Sequence, residues 1–181
     1  MEEILVLSTG GTFDKTYDPL TGNLQFQESF VPSILRLGRS TLKTETQTVF
    51  LKDSLDIVDQ DRESIANILK KSMHKRMVIT HGTDSIAETA SFLESYDLGK
   101  TIVLTGAMIP YSFGASDALF NLGSALAFAQ VPRLCPGLWV LPGSLGFAQV
   151  PRLCPKFLGF APGPWALPQI PRIYPRSLGF A

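Results

Sequence analysis

The sequence predicts an α/β fold: a doubly wound, mostly parallel sheet with helices on both faces. Three observations predict it. Short apolar runs alternate with amphipathic helical segments as far as Gln130, the pattern of parallel strands joined by crossover helices. Two of those runs, Ile4-Leu5-Val6-Leu7 and Met77-Val78-Ile79-Thr80, pass almost directly into glycine turns, Thr9-Gly10-Gly11-Thr12 and His81-Gly82-Thr83-Asp84-Ser85. A third, Thr101–Thr105, runs into Gly106-Ala107-Met108. Ligands of such sheets bind beyond the carboxyl ends of the strands, and all three turns lie at such ends.

Each element has a local reason. Strands are expected at Ile4–Ser8, Thr46–Leu51, Met77–Thr80 and Thr101–Thr105. A helix over Asp61–Lys71 places Ile65, Ile68 and Leu69 on one face. A second starts at Ser85, where Glu88 three residues on completes a capping box, with Ile86, Ala90 and Leu93 sharing a face. A third follows Asp117, with Leu119, Leu122 and Leu126 inward. The architecture is of the Rossmann or flavodoxin kind. Between Thr12 and Ser29 a polar stretch without periodicity, containing Tyr17 and Gly22, reads either as a mobile lid over the first turn or as an ordinary surface loop.

Composition divides the chain at Gln130. Residues 1–130 hold 11 basic and all 16 acidic residues, a net of −5, whereas 131–181 hold five basic residues and no acid. The tail also carries ten of the 13 prolines, both cysteines and both tryptophans. It repeats itself: Gln130-Val131-Pro132-Arg133-Leu134-Cys135-Pro136 recurs from Gln149, and in altered form from Gln169. Prolines this frequent break helices and central strands, so an irregular or extended segment without its own core is expected. A proline-rich docking segment and an out-of-frame extension both remain open as its origin.

Several function classes recede. The net charge is zero, so no global attraction to nucleic acid or membrane is expected. No apolar stretch approaches the roughly 20 residues of a membrane helix. Met1-Glu2-Glu3 does not resemble a secretion signal, and the cytoplasm is the expected compartment. Cys135 and Cys154 sit at equivalent repeat positions without histidine partners, so neither a metal nor a disulfide is assigned. No cofactor is expected. His74, beside Lys75 and Arg76, reads as a solvated helix end. His81 reads more readily as a backbone-bonded side chain than as a catalytic one.

The glycine turns carry the chemistry. Thr12 and Thr83 offer hydroxyls, Asp84 a carboxylate, and the turns offer backbone N–H groups such as that of Gly11 for an oxyanion. Together they describe acyl transfer from an amide or ester. Each also has a bland explanation, since threonine and aspartate are ordinary turn and helix caps. A nucleotide-binding reading of Gly10-Gly11 lacks the lysine of a P-loop and the spaced glycines of a dinucleotide fingerprint.

Residues 4–130 resemble the bacterial-type L-asparaginase (asparaginase/glutaminase) family in its N-terminal catalytic domain. Three signatures carry the resemblance in order: Thr9-Gly10-Gly11-Thr12, His81-Gly82-Thr83-Asp84-Ser85, and Leu104-Thr105-Gly106-Ala107-Met108 continuing to Ser116-Asp117 and Phe120-Asn121-Leu122. The resemblance implies that Thr12 attacks the side-chain amide of L-asparagine. Tyr17 is then the lid tyrosine bonded to Thr12. Thr83 and Asp84 match the second threonine and the aspartate that takes the α-ammonium. Ser54 matches the serine on the α-carboxylate, with Leu55 departing from the polar residue often found next. Ala107 lines the site by its backbone. The family's catalytic lysine lies downstream of the Phe-Asn-Leu helix. Here the proline tail begins in its place, and the surroundings of Lys156 do not match. The implied protein is a short form ending where the family's second domain would begin. It acts on L-asparagine and in part on L-glutamine, with reduced or absent activity, as a homodimer or homotetramer. The alternative is a silent amino-acid-binding domain.

Overall fold

The computed structural model describes residues 3–130, 137–141 and 148–149. Strand β1 (Ile4–Gly10) is followed by a short hairpin, β2 (Lys15–Tyr17) and β3 (Leu24–Phe26), and by helix α1 (Val31–Leu37). Then come β4 (Thr44–Lys52), α2 (Asp59–Lys71), β5 (Arg76–Thr80), α3 (Ile86–Glu94), β6 (Thr101–Thr105) and α4 (Ala118–Ala129). Strands β7 (Gly137–Leu141) and β8 (Ala148–Gln149) complete the main sheet. Its order is β4-β1-β5-β6-β7-β8, with parallel pairing as far as β7 and an antiparallel β8.

The central strands are apolar on both faces because both faces are covered. Ile4, Val6, Val78 and Val103 pack with Phe13, Val31, Ile34, Ala118, Leu122 and Leu126 on the α1/α4 side. Leu5, Leu7, Met77, Ile79, Ile102 and Leu104 pack with Ile65, Leu69, Ile86, Ala90 and Leu93 on the α2/α3 side. The sheet is therefore doubly wound, as expected. Strand β4 is an edge, and its Glu45–Thr48 stretch is exposed.

The structure departs from the sequence expectations at several places. The stretch after Thr12 is not featureless: β2 and β3 pair antiparallel, with Tyr17 opposite Leu24. Its tip is held by Asp18, which accepts from the Leu20 N–H at 2.9 Å and the Thr21 hydroxyl at 2.8 Å. The capping box at Ser85 is absent. The Ser85 hydroxyl instead donates to the Ser54 carbonyl at 2.6 Å, and Glu88 pairs with Arg62 at 3.1 Å. Leu119 is 38% exposed rather than inward, because the buried stripe of α4 runs through Ala118, Leu122, Ala125 and Ala129. Within the segment expected to be irregular, 137–141 and 148–149 form strands. The rest of that segment, with Cys135, Cys154 and Lys156, lies outside the described residues.

The strand order sets the site. From β1 the chain crosses to β4 on one side, and then to β5 on the other. The connections leaving β1 and β5 thus diverge, and a crevice opens between them at the carboxyl end of the sheet. Both glycine turns lie there.

Candidate active site

The two turns meet backbone to backbone. A Cβ on Gly11 would lie 2.4 Å from both Cα and N of Gly82, and one on Gly82 would lie 2.5 Å from the Ser54 Cβ. Glycine is therefore required at both positions by space alone. The Gly11 N–H donates to the Lys52 carbonyl at 2.8 Å, tying the first turn to the end of β4. The Thr9 hydroxyl donates to the Thr80 carbonyl at 2.8 Å, and the His81 N–H donates to the Thr105 carbonyl at 2.8 Å. Three strand ends are stitched together immediately below the crevice.

Ser54 and Asp84 are a bonded pair. The Ser54 hydroxyl donates to the Asp84 carboxylate at 2.9 Å. Ser54 is buried and Asp84 is exposed, so the pair runs from the floor of the crevice to solvent. Thr83 lies against Gly106, where a Cβ would come within 3.0 Å of its methyl group. Gly11, Ser54, Thr83 and Asp84 are thus gathered around Gly82. Thr12 follows Gly11 at once and opens a 3-10 turn over Thr12–Asp14, where it is half-buried.

One expected member stands apart, and a second was expected to act only through its backbone. Tyr17, on β2, is 56% exposed, and among the described residues no hydrogen bond joins it to Thr12. The Ala107 side chain is fully buried in the α4 core. The next two backbone N–H groups, of Met108 and Ile109, donate to Asp117, each at 3.1 Å.

The sequence reading missed Arg62 and Thr89, which brace His81 and through it the second turn. His81 is fully buried. Its Nδ1 lies 2.8 Å from the Gly82 carbonyl and its Nε2 2.9 Å from the Thr89 hydroxyl. The Arg62 Nε–H donates to that hydroxyl at 3.2 Å. A carbonyl can only accept, so Nδ1 carries the proton and Nε2 accepts from Thr89. Burial lowers the His81 pKa, and the nearby Arg62 charge lowers it further against the Gly82 bond. A neutral imidazole of fixed tautomer buttresses the turn, in keeping with the backbone-bonded reading. Lys15 forms an ion pair with Asp53, whose carboxyl is held below its ordinary range chiefly by that hydrogen bond. This links the hairpin to the segment carrying Ser54.

Asp14 was also missed. Its carboxylate is fully buried, accepts from the Phe30 N–H at 2.8 Å and lies 3.3 Å from the Ser29 hydroxyl. Burial pushes its pKa up to about 6, against the lowering effect of those two bonds. The folded chain therefore holds this proton more tightly than the unfolded one. The contribution is fully present below about pH 4 and is lost as pH rises through 6. Asp14→Asn is expected to remove that slope. The unfolding free energy of the parent minus that of the variant should fall by about 2 kcal/mol between pH 4 and 7, read from urea unfolding across that range. A constant difference would contradict the assignment.

No group of three or more His, Cys, Asp or Glu among the described residues is placed to hold a metal. Fold and site together define an α/β protein that gathers hydroxyls, one carboxylate and close-packed glycine backbone at its topological switch point, where such sheets bind their ligands. Comparison with known proteins narrows this class. Residues 3–143 match the family described as Asparaginase, N-terminal. The chain is 35% identical over 137 residues to L-asparaginase 1 of Escherichia coli K12, covering 71% of this chain and 40% of that protein. Its fold matches the thermostable L-asparaginase from Thermococcus kodakarensis with a TM-score of 0.66 and 33% identity, over 76% of this chain and 43% of that one. L-asparaginase I from Vibrio cholerae matches with a TM-score of 0.67 and 25% identity, over 77% and 44%. The chain belongs to the asparaginase family. It spans less than half the length of each of these relatives.

Proposed function

We propose that the chain binds L-asparagine in the switch-point crevice and hydrolyses its side-chain amide to L-aspartate and ammonia. The observation that carries this reading is the packing of Gly11, Ser54, Thr83 and Asp84 around Gly82, with Thr12 next in line. Asp84 takes the substrate α-ammonium and Ser54 the α-carboxylate. The Thr12 Oγ attacks the amide carbon while backbone N–H groups of the turns stabilise the developing oxyanion; the Gly11 N–H is not one of them, since the Lys52 carbonyl takes it. The C–N bond then breaks, the hydroxyl proton leaves with the amine as ammonia, and an ester to Thr12 remains. Water cleaves that ester, releasing aspartate and restoring the hydroxyl. L-glutamine, one methylene longer, is a second substrate.

A second reading, an amino-acid-binding domain without turnover, is favoured by one observation. Lys15, three residues after Thr12, and Lys52, whose carbonyl accepts from the Gly11 N–H, are each engaged by a carboxylate, Asp53 and Asp61. Neither is free to assist deprotonation of a threonine. We therefore propose reduced turnover. We further propose a homodimer or homotetramer and residence in the cytoplasm; the break at Gln130 is one of composition, since β7 and β8 pair into the main sheet. No described helix is long and apolar enough to cross a membrane.

Ammonia release from L-asparagine by the full chain, beside calorimetric titration with L-aspartate, tests the proposal. Aspartate binding with slow ammonia release is expected. Binding without release selects the second reading. Failure of both would refute the assignment of the crevice, and turnover equal to that of a full-length asparaginase would refute the reduced rate.

A further inference from the structure

Asp14 is costly where it stands. It is fully buried, and its Oδ2 has no hydrogen-bond partner among the described residues. A buried acceptor left unpaired lowers stability, more so when it belongs to an ionisable group. Local departures of this kind are expected where function opposes stability.

The position of Asp14 shows what it can control. It ends the 3-10 turn that begins at Thr12, and its own N–H donates to the Gly11 carbonyl at 3.2 Å. Across the hairpin, its Oδ1 receives the Phe30 N–H at the start of α1. Ser29 Oγ lies 2.7 Å from Ser8 Oγ, at the end of β1, and accepts from the Val31 N–H at 3.3 Å. One carboxylate therefore joins the Thr12 turn to α1 and, through Ser29, to β1. The hairpin strands β2 and β3 hang between its two anchor points. A charged acceptor makes the stronger hydrogen bond, and it closes the base of the only segment that leaves the crevice floor between Thr12 and α1.

We propose that Asp14 is a positioning residue for Thr12, clamping the base of the β2–β3 hairpin so that the nucleophile's turn is held against α1. The proposal rests on the reading of Thr12 as nucleophile. The clamp itself is a statement about backbone protection and can be tested without turnover. Ser54 and Asp84 are on other segments, and the Lys15–Asp53 ion pair that ties the hairpin to the Ser54 segment is made by side chains the Asp14 variants leave in place.

The test compares the full chain with Asp14→Ala, Asp14→Asn and Ser29→Ala by amide hydrogen exchange and steady-state kinetics on L-asparagine. In Asp14→Ala, amides of residues 15–28 should exchange at least about 10-fold faster while those of β5 and β6 are unchanged. Its kcat should fall by about 10- to 100-fold with KM within about twofold, as small misplacement of a reacting group demands. Asp14→Asn, which keeps an acceptor for the Phe30 N–H, should restore most of both. Ser29→Ala should show the same local exchange in weaker form, and serves if Asp14→Ala does not fold. Unchanged exchange in residues 15–28 of folded variants would overturn the clamp. So would a loss carried by KM, or a uniform acceleration that includes β5 and β6. Local acceleration in a chain whose parent releases no ammonia would uphold the clamp and overturn only the role of Thr12.

Discussion

Thr12→Val should lower ammonia release from L-asparagine by about 10³-fold or more, because removing one member of a catalytic set typically costs that much. Valine keeps the shape of threonine and deletes the hydroxyl. Thr12 makes no side-chain hydrogen bond among the described residues and is only half-buried, so the fold should tolerate the change. The contacts assigned to the α-groups lie elsewhere, on Ser54 and Asp84. Aspartate affinity should accordingly remain within about threefold of the parent, well under 1.4 kcal/mol. Retained turnover would remove Thr12 from the mechanism. Lost affinity alongside lost turnover would place it in binding rather than chemistry.

Gly11→Ala should disrupt the site through the backbone. Gly11 has φ 69° and ψ −170°, a region essentially restricted to glycine. The added methyl would also sit 2.4 Å from the Gly82 backbone, which has no flexible end to swing aside. Strain and overpacking together should destabilise by about 3 kcal/mol and eliminate activity. Gly22→Ala supplies the control: its φ is +74°, yet nothing lies within 4 Å of the new methyl. That variant should lose only about 1 kcal/mol and keep its activity. Urea midpoints and ammonia assays on the two proteins make the comparison. Equal effects would show that backbone angle, not the contact between turns, decides.

The fold was readable where one physical signal dominated. Strands β1, β5 and β6 are apolar runs because helices cover both faces of each, and their limits fell within two residues of expectation. Helix α1 was not anticipated. It has seven residues, begins with Val31-Pro32 and buries only Val31 and Ile34, too few to show a period. The hairpin was equally silent, with three residues in each strand. Ser85 and Glu88 had the right spacing for a capping box. Tertiary partners, the Ser54 carbonyl and Arg62, took both side chains instead.

The same division holds within the site. The glycine turns were visible because a buried strand that stops at glycine leaves few alternatives. The partners that brace His81 were not. Arg62 reaches Thr89, and Thr89 reaches His81, across separations of 27 and eight residues, which no local pattern encodes. Asp14, two residues after Thr12 in a polar stretch, looks like any loop acid until its burial is known. Tyr17 was located by its position in that stretch, and its exposed ring shows how little loop position constrains a side chain.

Strand β1 gives alternate side chains to both cores: Ile4 and Val6 to one, Leu5 and Leu7 to the other. Any displacement of this strand would disturb packing above and below the sheet simultaneously. The floor of the crevice is therefore stiff, and evolution has little room to reshape it. Variation in ligand length or bulk then falls to residues that neither core grips, such as Leu55, whose exposed side chain is next in the chain to Ser54. Changes of preference between related amino acids should accumulate at those positions, leaving the floor alike.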